Sequence, residues 1–323
     1  MKSINANDLL GLMPATAYVV ASDAPLTIRE AALEAKSHYG NLVQLCDGTA
    51  DQVEINAAFA ALPASGGTVV LSEGNYAIAA SITPVANGCL RGQGKATKLV
   101  GATGIDIIDI NNVNNVSVED LWIYGFGATN AVNGLIRVRG TSAEILVENC
   151  KIGNATCGIL FDSGTTKCCA LHNNFHDCGA ADGNTGYGIL TLGSEILIEG
   201  NLFSAVKRHA IYLSGAAGGS ASYTQVRGNI ISGTQLCGIE CYTTIAQPIS
   251  TGNVIEENII HDCVGIGIDI NSNVIDVTVV GNIIRTVSTS GIYVEGLQNE
   301  TTCRPDGVLI ANNVGNVAEY CIR

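Results

Sequence analysis

The phrase RGNIISGTQLCGIECY, residues 227–242, returns along the chain as EGNLFSAVKRHAIYLS, EENIIHDCVGIGIDI and VGNIIRTVSTSGIYVE. This recurrence constrains the fold more than any other feature, because a unit of about two dozen residues cannot bury its own apolar face and must stack on its copies. Two landmarks mark the period. Strand starts of the Gly-Ile type stand at Gly104, Gly134, Gly158, Gly188, Ala210, Gly238, Gly265 and Gly291, and Cys321 opens one more. An asparagine before an apolar pair falls at Asn173, Asn201, Asn229, Asn258, Asn282 and Asn312, with Leu121 and Cys150 at the earlier places. The neighbours Asn174 and Asn313 leave that column ambiguous by one residue at two coils. Steps between strand starts vary from 22 to 30 residues, as expected of fixed strands joined by loops of varying length. Apolar residues alternate within each unit, as in Ile211-Tyr212-Leu213-Ser214, which is strand period. The expected fold is all-β, a single-stranded parallel β-helix whose asparagines bond one another at a shared bend.

The N-terminal part is different material. AYVVAS, PLTIREAALEAK and NLVQL predict a small α/β element over residues 1–45. Residues 46–103 hold a capping helix and the first coil, and residues 104–323 the repeated coils. In DGTADQVEINAAFAAL, Thr49 and Gln52 have capping-box spacing, and Val53, Ile55, Ala58, Phe59 and Leu62 form the apolar positions of a helix that covers the open end of the coil stack. The chain ends at EYCIR, one strand into a new coil; that end is expected either to be covered by a partner subunit or to continue in a longer protein.

Glycine is abundant (38 residues), only 14% of residues are charged and 47% are hydrophobic, a balance that suits short buried strands and turns. The net charge of −13 repels a phosphate backbone, so no nucleic-acid partner is expected. No apolar run is long enough for a bilayer, so no membrane partner is expected either. MKSINANDLLGLM lacks the pattern of a signal peptide, so synthesis in the cytoplasm is expected, with the 12 cysteines as free thiols. Neither Cys168-Cys169 nor Cys237 with Cys241 gives a zinc-type pair, and neither metal nor cofactor is expected.

The run CDGTADQVEINAAFAALPASGGTVVLSEGNYAIAASITPVANGCLRGQGKATKL, Cys46 to Leu99, resembles the opening of pectate-lyase-like right-handed parallel β-helix proteins. Its D-G-T-x-D helix, G-G-x-V strand and L-x-G-x-G-x-x-T turn carry the resemblance. The family includes phage tailspikes, polysaccharide lyases and glycoside-hydrolase-like proteins. The resemblance implies a right-handed coil, a polysaccharide partner and, from the tailspikes, a homotrimer and a place in a virion tail. The polygalacturonase signatures N-T-D, G-H-G and R-I-K are missing, and LWIYGF shares only W-I with the calcium-dependent pectate lyases.

Candidate site residues follow from the alternation. Outward positions after each inward isoleucine line up as Tyr212, Glu240, Gly267 and Tyr293, with Asp162, Ser214, Tyr242, Asp269 and Glu295 one step along. This places Glu295 about 5 Å and Glu240 about 8 Å from Asp269, within the range of glycosidase carboxyl pairs. Glu240 and Asp269 are the expected acid/base pair, Glu295 a third acid, and Tyr212, Tyr242 and Tyr293 sugar-stacking residues. A second grouping, Lys207, Arg208 and His209, suits a lyase: Arg208 neutralises a uronate, His209 or Tyr212 removes the proton, and Lys207 binds substrate. The copies His176-Asp177 and His261-Asp262 lie three coils apart and are expected to be structural. Two functions remain open: a glycan hydrolase or lyase, and a non-catalytic glycan-binding or structural module of a virion or cell surface.

Overall fold

The computed structural model describes residues 15–127, 134–179, 185–216, 218–244, 246–296, 305–316 and 320–322. They wind as stacked coils whose strands fall into three long parallel sheets, most coils giving one strand to each. Sheet A has twelve strands and begins with Val43–Leu45, Ala15–Val20 and Gly67–Leu71. Sheet B has ten, from Gly74–Ile78 to Val314–Asn316, and sheet C has nine, from Ile108–Asn111 to Tyr320–Ile322. Each strand pairs with its copy one coil on. The inward isoleucines of sheet C stack as Ile108, Ile136, Ile159, Ile189, Ile211, Ile239, Ile268 and Ile292. All are 0–1% exposed. Short strands with no hydrophobic partner face of their own bury it against the neighbouring coils and the opposite sheets.

The recurring G-N phrase is the corner between sheets A and B. The residue before each asparagine has a left-handed backbone: Gly200, Gly228 and Gly281, but also His172, Glu257 and Asn312. This sharp reversal turns the next side chain into the core. There Asn173, Asn201, Asn229, Asn258, Asn282 and Asn313 form a ladder, each Oδ1 accepting the backbone N–H of the preceding coil at 2.9–3.0 Å. From Asn201 onward the Oδ1 also accepts the side-chain amide of the rung before. The sixth rung is Asn313 and not Asn312, which supplies the left-handed turn. Cys150 and Leu121 fill the earlier places, both buried.

Three of the predicted strand starts are out of register. Ile136 pairs with Ile108 and with Ile159, which puts Leu135 beside Gly158, and Ile107 beside Leu135. Gly134 and Gly104 therefore precede the column by one residue and by three. In GIGIDI the second pair is the one that stacks: Ile268 lies against Ile239, so Gly267 stands beside Gly238 and Gly265 belongs to the preceding turn. Glycine is required there, because a Cβ on Gly267 would meet the Gly291 carbonyl at 2.5 Å and Ile284 of sheet B at 2.6 Å.

At the N-terminal end, Ala15–Val20 pairs in parallel with both Val43–Leu45 and Gly67–Leu71, so the α/β element with its helix Leu26–Tyr39 extends sheet A. The covering helix is Gln52–Ala61, with Ile55, Ala58 and Phe59 buried. Val53, expected on the apolar face, is 59% exposed. The Thr49/Gln52 capping box does not form. Gln52 Oε1 accepts from Ala79 N–H, and the turn is held by Asp51, whose two oxygens accept Gly48 N–H at 2.9 Å and Ala77 N–H at 2.7 Å. Asp51 is fully buried. Asp51→Ala would strand both donors and is expected to cost about 3 kcal/mol, read as a lower denaturation midpoint at unchanged slope.

Candidate functional site

The outer face of sheet C carries the site. From Cys157–Phe161 onward the small residue before the isoleucine faces the core as the isoleucine does, since a Cβ on Gly158, Gly188, Gly238 or Gly267 would meet Phe175, Phe203, Ile260 or Ile284 of sheet B. The residue before it therefore faces outward together with the one after the isoleucine. Tyr187 and His209 thus come to the face that holds Tyr212. The rings stack, with centroids 5.9 Å apart for Tyr187 and His209, 5.6 Å for Tyr187 and Tyr212, and 5.1 Å for His209 and Tyr212. Beyond Tyr212 the register runs Glu240, Asp269, Tyr293. Asp269 is therefore directly opposite Glu240 and next to Tyr293. The expected diagonal between Glu240 and Asp269 is replaced by direct opposition, and Glu295 pairs with Asn271, one step from Asp269. The two-residue shift at Gly267 causes this change.

Burial makes the cluster electrostatically unusual. Asp269 is 6% exposed, and its Oδ1 has no hydrogen-bond partner among the described residues. Its carboxyl is pushed up to about 7, first by burial and then by the Glu240 and Glu295 charges, against a hydrogen bond from Asn271. Glu240 Oε2 lies 2.8 Å from Nε2 of His209, itself wholly buried. Arg208 Nε is 3.0 Å from the same Nε2, and its Nη1 donates to the Tyr187 hydroxyl at 3.0 Å. Nε2 accepts from Arg208, and Glu240 Oε2 has no hydrogen-bond partner among the described residues, so His209 and Glu240 are close without being hydrogen-bonded. Burial raises the hydroxyls of Tyr187 and Tyr212 above the usual tyrosine range, so both are neutral donors at physiological pH.

The structure brings Glu240, Asp269, Glu295, His209, Arg208, Tyr212 and Tyr293 to one face. Tyr242 is on the same face one row along, between Ser214 and Asn271. Lys207 sits at the preceding bend, its Cβ in the space that a side chain on Gly179 or Gly186 would need. His176 and His261 are three coils apart in sheet B, each with Nδ1 on the adjacent aspartate, at 3.0 and 2.8 Å. Cys46, Asp51 and Glu54 bring ligand atoms within 4.8 Å, but both Asp51 oxygens already accept backbone N–H groups. The buried thiols of Cys150, Cys168 and Cys178 are pushed up to about 12, which leaves them unreactive.

Sequence reading missed Tyr187 and a charged cluster at the other end of the face. In Gly134–Arg139, GLIRVR, the alternation sends Arg137 and Arg139 outward. Arg139 holds Asp109 through two bonds of 2.7 and 2.6 Å. Arg137 holds Asp162 at 2.7 Å and lies 3.7 Å from Asp106. The strand itself carried the signal; its acidic partners come from other coils and could not be paired by spacing alone.

A family described as "right handed beta helix region" matches residues 133–314. No curated protein matches the sequence. Among solved structures, a tailspike protein mutant of Escherichia coli bacteriophage HK620 in complex with a pentasaccharide is 14% identical, with a TM-score of 0.69 over 84% of this chain and 56% of that one. A second mutant of the same tailspike, also with pentasaccharide, is 15% identical with a TM-score of 0.68 over the same shares. The chain thus spans little more than half the length of these structures, and at such identity the likeness concerns the fold. No helix of the described residues is long and apolar enough to cross a membrane. Three stacked parallel sheets, an asparagine ladder at every corner from Asn173 to Asn313, and a match over more than half of the chain agree: this protein belongs to the right-handed β-helix family.

Proposed function

We propose that the chain is a polysaccharide-active β-helix protein that hydrolyses a glycosidic bond at Glu240 and Asp269. The observation that carries this reading is a buried carboxyl with an unpartnered oxygen, pushed up to about 7 by its surroundings, directly across one strand from a second carboxyl. Parallel strands lie about 4.8 Å apart. That is close to the roughly 5–5.5 Å between the carboxyls of retaining glycosidases and well short of the 6.5–9.5 Å of inverting ones. Asp269, raised to about 7 and so still about half protonated at neutral pH, is suited to give its proton to the leaving oxygen. Glu240, with its Oε2 2.8 Å from His209 Nε2, is suited to attack the anomeric carbon. Tyr212 and Tyr293 flank the pair and offer ring faces to the neighbouring sugars. The lyase alternative has less support, because Arg208 already donates to Tyr187 and His209.

Incubation with a panel of bacterial, plant and algal polysaccharides tests the reading. New reducing ends are expected on at least one glycan, and unsaturated sugar products would favour the lyase. On that glycan Glu240→Gln is expected to lower turnover by at least about 100-fold, and Glu295→Gln by less than about tenfold. Binding without any product would make this a glycan-binding module.

We further propose self-association as a trimer and a place in a phage tail; an exposed aliphatic row along sheet B supports the self-association. Leu202, Ile230, Ile259 and Val314 of that row are 39–58% exposed. Sedimentation at micromolar concentration would show a single species of three chains.

A further inference from the structure

The Arg137–Arg139 cluster opens on a cleft of about 430 Å³, lined by Asn111, Arg137, Arg139, Asp162, Ser163 and Leu192. It lies on the same outer face as the carboxyl pair. The register leads from one to the other in four strand steps, Arg137, Leu160, Leu190, Tyr212 and Glu240. At 4.8 Å a step this is about 19 Å along the coil axis, several sugar residues. Leu160 and Leu190 are themselves buried, with Cys157 and Tyr187, in an apolar cluster on this face. Leu192 and Tyr212 are its partly exposed edges. One of these edges lines the cleft and the other adjoins Glu240, so a bound chain has a contact at each end of the cluster.

We infer that this cleft is a distal subsite for an uncharged, hydroxyl-rich segment of the glycan whose cleavage is proposed above; the inference rests on that reading. The chemistry of the lining selects the ligand. Arg139 keeps two of its nitrogens on Asp109, and Arg137 keeps its Nε on Asp162, so each guanidinium is fixed in place along one edge. The side chains remain 40% and 29% exposed, which leaves their outer edges in reach of a ligand. Fixed N–H donors stand beside carboxylate oxygens, the Asn111 amide and the Ser163 hydroxyl. Sugar hydroxyls both donate and accept, so they can use all of these groups. Two guanidinium groups face three carboxylates, those of Asp106, Asp109 and Asp162, so the cluster has no positive surplus with which to draw an acidic sugar. The chain as a whole carries −13 and opposes a polyanion further.

A printed array of bacterial, plant and algal glycans, probed with fluorescent Asp269→Asn protein, identifies a ligand without turnover. Size-fractionated fragments of that ligand are then titrated against Asp269→Asn alone and against Asp269→Asn combined with Arg139→Ala or Arg139→Gln. Circular dichroism melts control for folding. The arginine variants are expected to weaken fragments long enough to reach from Glu240 to Arg139 by about tenfold or more. The shortest fragments that still bind are expected to change by less than twofold, and an uncharged ligand is expected to outbind its carboxylated counterpart. Equal losses on short and long fragments, no loss on either, or preference for an acidic segment would overturn the subsite. Cleavage by the wild type with no length-dependent loss would overturn the subsite alone, and length-dependent binding without product would overturn the cleavage alone. Binding to no printed glycan would overturn both.

Discussion

Asn229→Ala is expected to lower the unfolding free energy by roughly 3–5 kcal/mol, seen as a lower denaturation midpoint. Asn229 is fully buried at the centre of the ladder. Its Oδ1 accepts both the backbone N–H and the side-chain amide of Asn201, and its own amide reaches the Ile198 carbonyl and Asn258 Oδ1. Alanine leaves two N–H donors of Asn201 buried without an acceptor, and each orphaned group costs about 1–3 kcal/mol. A void of one amide adds to that. The end rung is only partly buried, so Asn313→Ala should cost about 1 kcal/mol. Asn174, one residue after a rung, turns its side chain outward, and its alanine variant should stay within about 0.5 kcal/mol of the parent. Equal costs at Asn229 and Asn174 would remove the ladder from the account of stability.

Asp269→Asn should slow glycan cleavage severely and stabilise the fold at alkaline pH. A folded-state value of about 7 lies some three units above that of an unfolded aspartate, about 3.9. Between these values the folded chain binds the extra proton, so stability falls as pH rises from about 4 to about 7 and is level above. Asparagine has no proton to lose. Wild type and variant should therefore be alike near pH 4 and diverge until the variant leads by up to about 4 kcal/mol at pH 8. Melting curves from pH 4 to pH 9 measure the difference. On a cleavable glycan the same change removes the proposed acid and should cost about 10²–10⁴-fold in turnover, and the wild-type rate should decline above pH 7. A variant less stable than wild type at pH 8 would show that the fold does not raise the Asp269 carboxyl.

The winding could be read before the structure because its cause is local. A left-handed residue followed by an inward asparagine is a corner that each unit spells out, from His172-Asn173 to Asn312-Asn313. Register was harder. GIGIDI offers two Gly-Ile pairs, and only the side chains of sheet B, Ile284 above all, decide that Gly267 is the one pressed into the core. That slip of two residues moved Asp269 from a diagonal to a direct neighbour of Glu240. Tyr187 escaped notice because alternation places it inward, whereas Gly188 and Ile189 both face the core and leave Tyr187 outward, where it stacks with His209 and Tyr212. Arg137 and Arg139 were in plain alternation, but their pairing with Asp109 and Asp162 depends on loops of differing length. The residues of the proposed pair were thus legible; their spacing was not.

The proposed chemistry needs a proton held by the buried Asp269 carboxyl opposite Glu240 on sheet C. Carbon-13 carboxyl NMR, with Asp269→Asn for assignment, measures it without any substrate. One aspartate resonance should titrate near pH 7, vanish in Asp269→Asn, and move toward the ordinary range in Glu240→Gln. If every aspartate titrates below pH 5, or the high value survives Asp269→Asn, the proposed acid is not there.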